Sequence, residues 1–212
     1  MRKYSVLLVF GMLAGAAPLA AQWESPTFFA PRPGEDLGLY YVSPAGVNEW
    51  GIHGIWRQEG NLSFGVRLGL EENEVFHVGA EFYGPLGLAA PESSLLFSWA
   101  LGLGASIMDD ITWLRVPLGV SIGMNLGSPG TMQLKPYVFP RVAFDLLAIE
   151  VGGEEETDTE FNVPIDAGVD VDVGAFVLRG GVTFSLTEED ATSFGAGIAL
   201  KMPRRIAVRS EN

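Results

Sequence analysis

The sequence predicts an all-β fold: a transmembrane antiparallel up-and-down β-barrel of ten strands, with eight as the alternative count. Three observations lead there. Apolar residues recur with a period of two in run after run. The alternate positions of those runs are mostly small or polar and seldom lysine. The connections on one side are rich in carboxylates, while those on the other nearly lack charge.

Taken in order, the chain opens MRKYSVLLVFGMLAGAAPLAAQ. Arg2 and Lys3, the apolar stretch 6–17 and the small residues after it predict a secretory signal peptide over 1–21, cleaved after Ala21. That apolar part is too short for a spanning helix, and no later apolar run approaches the twenty residues a helix needs. There is no cysteine, so neither a lipoprotein anchor nor a disulfide framework is available. Residues 22–36, including WESPTFFAPRPGED, form a Pro-rich N-terminal tail or a partial plug, with Phe28 and Phe29 against the barrel end. The barrel spans 37–203, and 204–212 is a C-terminal tail. All 26 acidic residues lie after the signal, as do all but two of the 13 basic ones, which leaves 11 against 26 and a net charge of −15. So acidic a chain is not drawn to nucleic acid or to anionic lipid.

The strands are read at about 37–43, 49–58, 61–71, 74–84, 95–107, 111–127, 132–147, 160–173, 176–187 and 192–202. In VPLGVSIGMNL, residues 116–126, Val116, Leu118, Val120, Ile122, Met124 and Leu126 alternate with Pro117, Gly119, Ser121, Gly123 and Asn125. A strand places such residues on opposite faces. Short turn-like connections such as QEGN and GSPG make sequential strands antiparallel hairpins. A secreted β-sandwich is the soluble rival, but its solvated face would carry Lys, Glu and Thr in quantity. A barrel in a membrane turns the apolar face to lipid and fills its interior with small and polar groups. Several runs have the nine to eleven residues a tilted strand needs to cross a bilayer. Trp50, Trp56, Trp99, Trp113, Phe184 and Phe194 fall near run ends, where interfacial girdles sit. On this reading Val120→Arg should disturb insertion, and inward-facing Ser121→Asn should be milder.

With ten strands, the connections EENE, MDD, EVGGEEETDTE and TEED share one rim and hold 14 acidic residues and no basic ones. The longest polar connection, about 148–160, lies there too, so this rim is expected to face the cell exterior. Clustered carboxylate oxygens suit hard divalent cations, which makes Glu154, Glu155, Glu156 and Asp158 a candidate cation-binding loop.

The chain resembles the small outer-membrane β-barrel proteins, the porin-family group that includes OmpX and the OmpA membrane domain. The resemblance covers nearly all of the mature chain and rests on its alternating pattern. Within the last strand, Ser193, Gly195, Ile198 and Leu200 look like the signal by which the barrel assembly machinery recognises such proteins. The chain departs from the family by continuing past that strand with PRRIAVRSEN rather than ending on an aromatic residue. The resemblance implies insertion into the bacterial outer membrane, with outer-membrane lipid and the assembly machinery as partners. Structural, adhesive, pore-forming and enzymatic roles all occur in the group.

Inward polar positions predict a salt-bridged lumen lined by Arg67, Glu81, Arg115, Lys135, Tyr137, Arg141, Asp166, Asp170, Asp172 and Arg179. If Leu147 lies opposite Glu160, Arg141 faces Asp166, Tyr137 faces Asp170 and Lys135 faces Asp172. Around the next hairpin, Arg179 falls beside Asp170. Opposite charges belong together in an interior where an unpaired charge is costly. His53 and His77 are the only histidines. With Ser63 and Glu81 they could be drawn as nucleophile, base and orienter, but the His-x-Ser pair of comparable acyl hydrolases is absent. No phosphate loop or transition-metal motif is present, and no cofactor is expected. The leading expectation is a structural or surface-interaction protein with a filled interior and acidic external loops. A small cation-preferring pore is second, and an outer-membrane lipid-modifying hydrolase or protease is third.

Overall fold

In the computed structural model, residues 25–44, 50–60, 62–88, 94–108, 111–127, 132–151, 154–187 and 192–202 are described. The expected signal peptide and the 204–212 tail lie outside them. The chain forms strands β1 (Asp36–Ser43), β2 (Gly51–Gln58), β3 (Ser63–Glu71), β4 (Val75–Pro85), β5 (Leu95–Met108) and β6 (Ile111–Met124). It continues with β7 (Gln133–Val151), β8 (Glu154–Asn162), β9 (Pro164–Val173), β10 (Phe176–Ser185) and β11 (Thr192–Lys201). From β1 to β8 each strand pairs antiparallel with the next, β9 pairs with β7 and β10, β10 with β11, and β11 with β1, so the sheet closes on itself. β8 and β9 pair in turn along β7 in one register, Asn162 opposite Ala143 and Ile165 opposite Pro140, and so form two halves of one stave. The ring therefore has ten staves, and closure leaves no edge within it to be satisfied by water.

The alternation read from the sequence sorts the two faces. In β6, Leu114, Val116 and Leu118 are exposed, whereas Trp113, Arg115, Gly119 and Ser121 are buried. Leu37 and Leu39, Leu68 and Leu70, Leu101 and Leu103, Leu178, Ile198 and Leu200 continue the exposed apolar wall. In water such a wall would be an aggregation surface; against lipid it is the required one.

The structure differs from the sequence expectation in the β7–β8 hairpin and in the register of β7. The stretch 148–160 is not a loop, because β7 runs on to Val151 and β8 starts at Glu154, an extension of the hairpin beyond the neighbouring strands. Glu154, Glu155, Glu156 and Asp158 are thus strand residues, paired with Val151, Glu150, Ile149 and Leu147. The β7 register is also shifted by two residues: Phe139 rather than Arg141 lies opposite Asp166, Gly168 lies opposite Tyr137, and Asp170 opposite Lys135. The cause is that β7 and β8 pair with Val151 opposite Glu154, which moves every pair below them. In the following hairpin, Arg179 lies opposite Asp170 as expected.

Candidate functional site

The candidate site is the lumen, and one side-chain device recurs in it. Where two large polar residues must meet, the strand between them carries glycine. Arg57 and Glu81 lie on either side of Gly65 in register, and Arg57 Nε donates to Glu81 Oε1 at 2.6 Å. Tyr40 and Arg179 flank Gly197, and Arg179 Nη1 donates to the Tyr40 hydroxyl at 2.6 Å. His53 and His77 flank Gly69. A Cβ on Gly69 would come within 2.5 Å of the His53 ring, and one on Gly65 within 2.8 Å of the Glu81 carboxylate. The glycines supply the space through which next-but-one strands pair their side chains.

All ten predicted lining residues project inward. Arg179 also binds Asp36 (Nη2 to Oδ2, 2.5 Å) and Asp170 (Nε to Oδ2, 3.0 Å). Arg141 reaches Asp166 diagonally at 3.0 Å, and Lys135 reaches Asp172 at 2.8 Å, so both ion pairs survive the register shift. Lys201 is a second partner of Asp172 at 3.0 Å. Arg115 grips Asp145 through two nitrogens, at 2.5 and 2.6 Å, and the Asn162 amide donates to the same carboxylate. Such two-point pairs are the geometry that offsets the cost of burying charge. Tyr137 packs with Phe29, Tyr83 and Phe139.

The N-terminal segment fills what remains. Phe28, Phe29 and Ala30 are at most 1% exposed inside the barrel. Phe28 stacks on Tyr40 at 4.3 Å, and Phe29 meets Tyr83 and Phe139. The segment has no strand partners, so its backbone groups need others. Arg57 donates to the Phe28 and Thr27 carbonyls, Arg67 to Thr27 and Pro26, and Ser121 to Phe29 at 2.6 Å. The Thr27 amide and hydroxyl both donate to Asp166, which also accepts from Thr183. Phe28 holds a positive φ of 53°, uncommon for a bulky residue, and its burial on Tyr40, Val42 and Ile55 holds it there. A cavity of about 50 Å³ remains, lined by Thr27, Arg67, Glu81, Gly102, Pro117 and Arg141. That is room for a few waters, well short of the several hundred Å³ of a small-molecule site.

Near the acidic rim the lumen holds a separate cluster. His53 Nε2 and His77 Nε2 lie 3.2 and 3.0 Å from the same Glu71 oxygen, and His77 Nδ1 lies 2.7 Å from Ser106 Oγ. The constellation imagined from Ser63 and Glu81 does not assemble. Ser63 sits at the opposite end of β3, where the Gly60 amide donates to it, and Glu81 is taken by Arg57. Glu71 opens the acidic stretch EENE, yet it is buried in the lumen. Its odd-numbered parity with Ser63, Arg67 and Gly69 was the signal that it points inward. Ser106, His77 and Glu71 do form a hydroxyl–imidazole–carboxylate series, yet Ser106 is only 7% exposed and offers a substrate no approach.

In the last strand, Ser193 and Gly195 face inward, and Ile198 and Leu200 face outward at about half exposure. Glu156 and Asp158 are exposed on the hairpin extension.

A closed ring with an apolar outer wall and an ion-paired interior is a small transmembrane β-barrel of the bacterial outer-membrane type. No known protein-family model matches the chain, and no curated protein does. Among solved structures the chain is similar to LpxR from Salmonella typhimurium, at 8% identity over 79% of this chain and 100% of that one, with a TM-score of 0.43. It is also similar to KdgM porin (6% identity, 79% and 99% covered, TM-score 0.42). A third is the N-terminal β-barrel domain of Pseudomonas aeruginosa OprF (12% identity, 79% and 97% covered, TM-score 0.40). These likenesses lie in architecture and carry no role across.

Proposed function

We propose that this protein is a plugged scaffold of the bacterial outer membrane, with its acidic rim turned to the cell exterior as an interaction surface. The observation that carries this reading is the N-terminal segment, whose Phe28 and Phe29 fill the lumen while Arg57, Arg67 and Ser121 hold its carbonyls. An ion cannot replace its hydration shell along a path closed by two phenyl rings and ion pairs already matched to each other. The partners proposed are outer-membrane lipid on the apolar wall and the assembly machinery at β11. Divalent cations are proposed at the exposed carboxylates of the rim, weakly held because Glu156 and Asp158 stand on a strand rather than in a closing loop. No enzymatic activity is proposed.

Single-channel recording of the refolded protein in a planar bilayer tests this reading, with insertion checked separately by heat-dependent mobility in gels. The intact barrel is expected to be silent. A variant lacking residues 25–34 is expected to show discrete, cation-preferring steps, because Asp166 loses Thr27 and lines an opened path. Discrete steps from the intact protein would overturn the plugged reading and make it a pore.

A further inference from the structure

The structure assigns a function to the cluster that the plugged reading leaves unused: we propose that His53, Glu71 and His77 bind one divalent transition-metal ion of the zinc class inside the acidic end of the barrel. Two histidines are all the chain has, 24 positions apart and on different strands, and the fold brings both to one carboxylate. One potential ligand atom from each of the three residues lies within 4.8 Å of the others, and among the described residues no other group of His, Asp and Glu does this. A zinc ion takes nitrogen and oxygen ligands at about 2.0–2.2 Å, which sets neighbouring ligands roughly 3–3.5 Å apart. The two imidazole–carboxylate distances, 3.2 and 3.0 Å, fall in that range.

The surroundings suit a metal ligand set. Imidazole bound to metal through one nitrogen directs the other at a fixed acceptor, and His77 places Nδ1 2.7 Å from Ser106 Oγ while Nε2 faces Glu71. With the Nδ1 proton given to Ser106, the Nε2 lone pair points at a carboxylate oxygen, an arrangement that a cation between them relieves. Gly69 beneath the pair keeps the space between the two rings free of a side chain, their centroids 5.4 Å apart. All three residues are at most 3% exposed, so the ligands are held by the wall and not by mobile loops. Two imidazoles with one carboxylate favour zinc, copper, nickel or iron over magnesium and calcium, which prefer all-oxygen sets. Glu71 ends β3, and Glu72 and Glu74 follow it in the 3-10 turn, so further carboxylates adjoin the cluster at this end of the barrel. The bound ion would tie β2, β3 and β4 together at the acidic end of the barrel.

The test is titration of the full refolded barrel, stripped with a chelator, with zinc by calorimetry and with cobalt(II) by visible absorption, followed by X-ray absorption of the zinc form. One equivalent per barrel is expected, with two imidazoles in the coordination shell. His53→Gln and His77→Gln should each lower affinity at least tenfold, while Glu156→Gln with Asp158→Asn on the hairpin should leave it unchanged. Calcium and magnesium, which prefer all-oxygen sets, should not lower the zinc affinity. Absence of saturable zinc binding to the intact barrel would overturn the site whether or not the variants fold. A zinc shell lacking imidazole, or affinity lost in the hairpin variant alone, would overturn it too, and would move binding to the rim carboxylates. Conductance is a separate readout, so neither result depends on the plug.

Discussion

Arg179→Met is expected to lower the stability of the folded barrel by about 3–5 kcal/mol, the cost of leaving one partner of a buried ion pair alone. Arg179 is 2% exposed and serves Asp36 on β1, Asp170 on β9 and the Tyr40 hydroxyl on β1, so its guanidinium links both sides of β11. Methionine fills much of the volume but donates nothing, and the two carboxylates would face each other without a cation between them. The check is the urea-unfolding midpoint of protein refolded into detergent or lipid vesicles. Adding Asp36→Asn and Asp170→Asn to the same chain should recover a large part of the loss, since the unpaired charges and not the missing side chain carry the cost. A loss below about 1 kcal/mol would mean that water reaches these carboxylates.

Leu118→Arg should cost about 2–4 kcal/mol, the range for arginine on the lipid face of a barrel near the bilayer midplane. Leu118 is half exposed at the middle of β6, flanked by the apolar side chains of Leu101 and Val142. Val120, two residues on, lies opposite Trp99. An indole of this kind marks the approach to an interface, so Val120→Arg should cost less than Leu118→Arg. Unfolding from vesicles measures both, and equal tolerance at the two sites would count against a lipid-facing β6. Ser121 is not the mild inward position that alternation alone suggests. Its hydroxyl holds the Phe29 carbonyl and it has no exposed surface, so Ser121→Asn would strike the plug.

The strands were legible because a period of two is a local property. Val116 to Leu126 declares its faces whatever it pairs with, and ten such runs joined by short turns leave few ways to close. The inward direction of Arg115, Arg141, Asp166 and Arg179 followed from the same parity. Contacts between strands were less legible, since register depends on where a hairpin turns. Reading 148–160 as a loop shifted β7 against β9 by two residues, yet Arg141 and Lys135 still reached Asp166 and Asp172 because long side chains span a diagonal.

The sequence by itself determined that the chain is a membrane barrel with a polar interior and one acidic rim, since composition and alternation are set residue by residue. Only the tertiary structure decided how the interior is filled. The union of Arg57 with Glu81 across Gly65, of Tyr40 with Arg179 across Gly197, and of His53 with His77 across Gly69 is invisible to pairwise register. The partners sit on next-but-one strands, and the glycine between them has no side chain to betray the contact. The Pro-rich segment, too, carries no periodicity of its own. Its place in the lumen follows from carbonyls that need donors and arginines that have them to give, and those arginines converge only once the ring has closed.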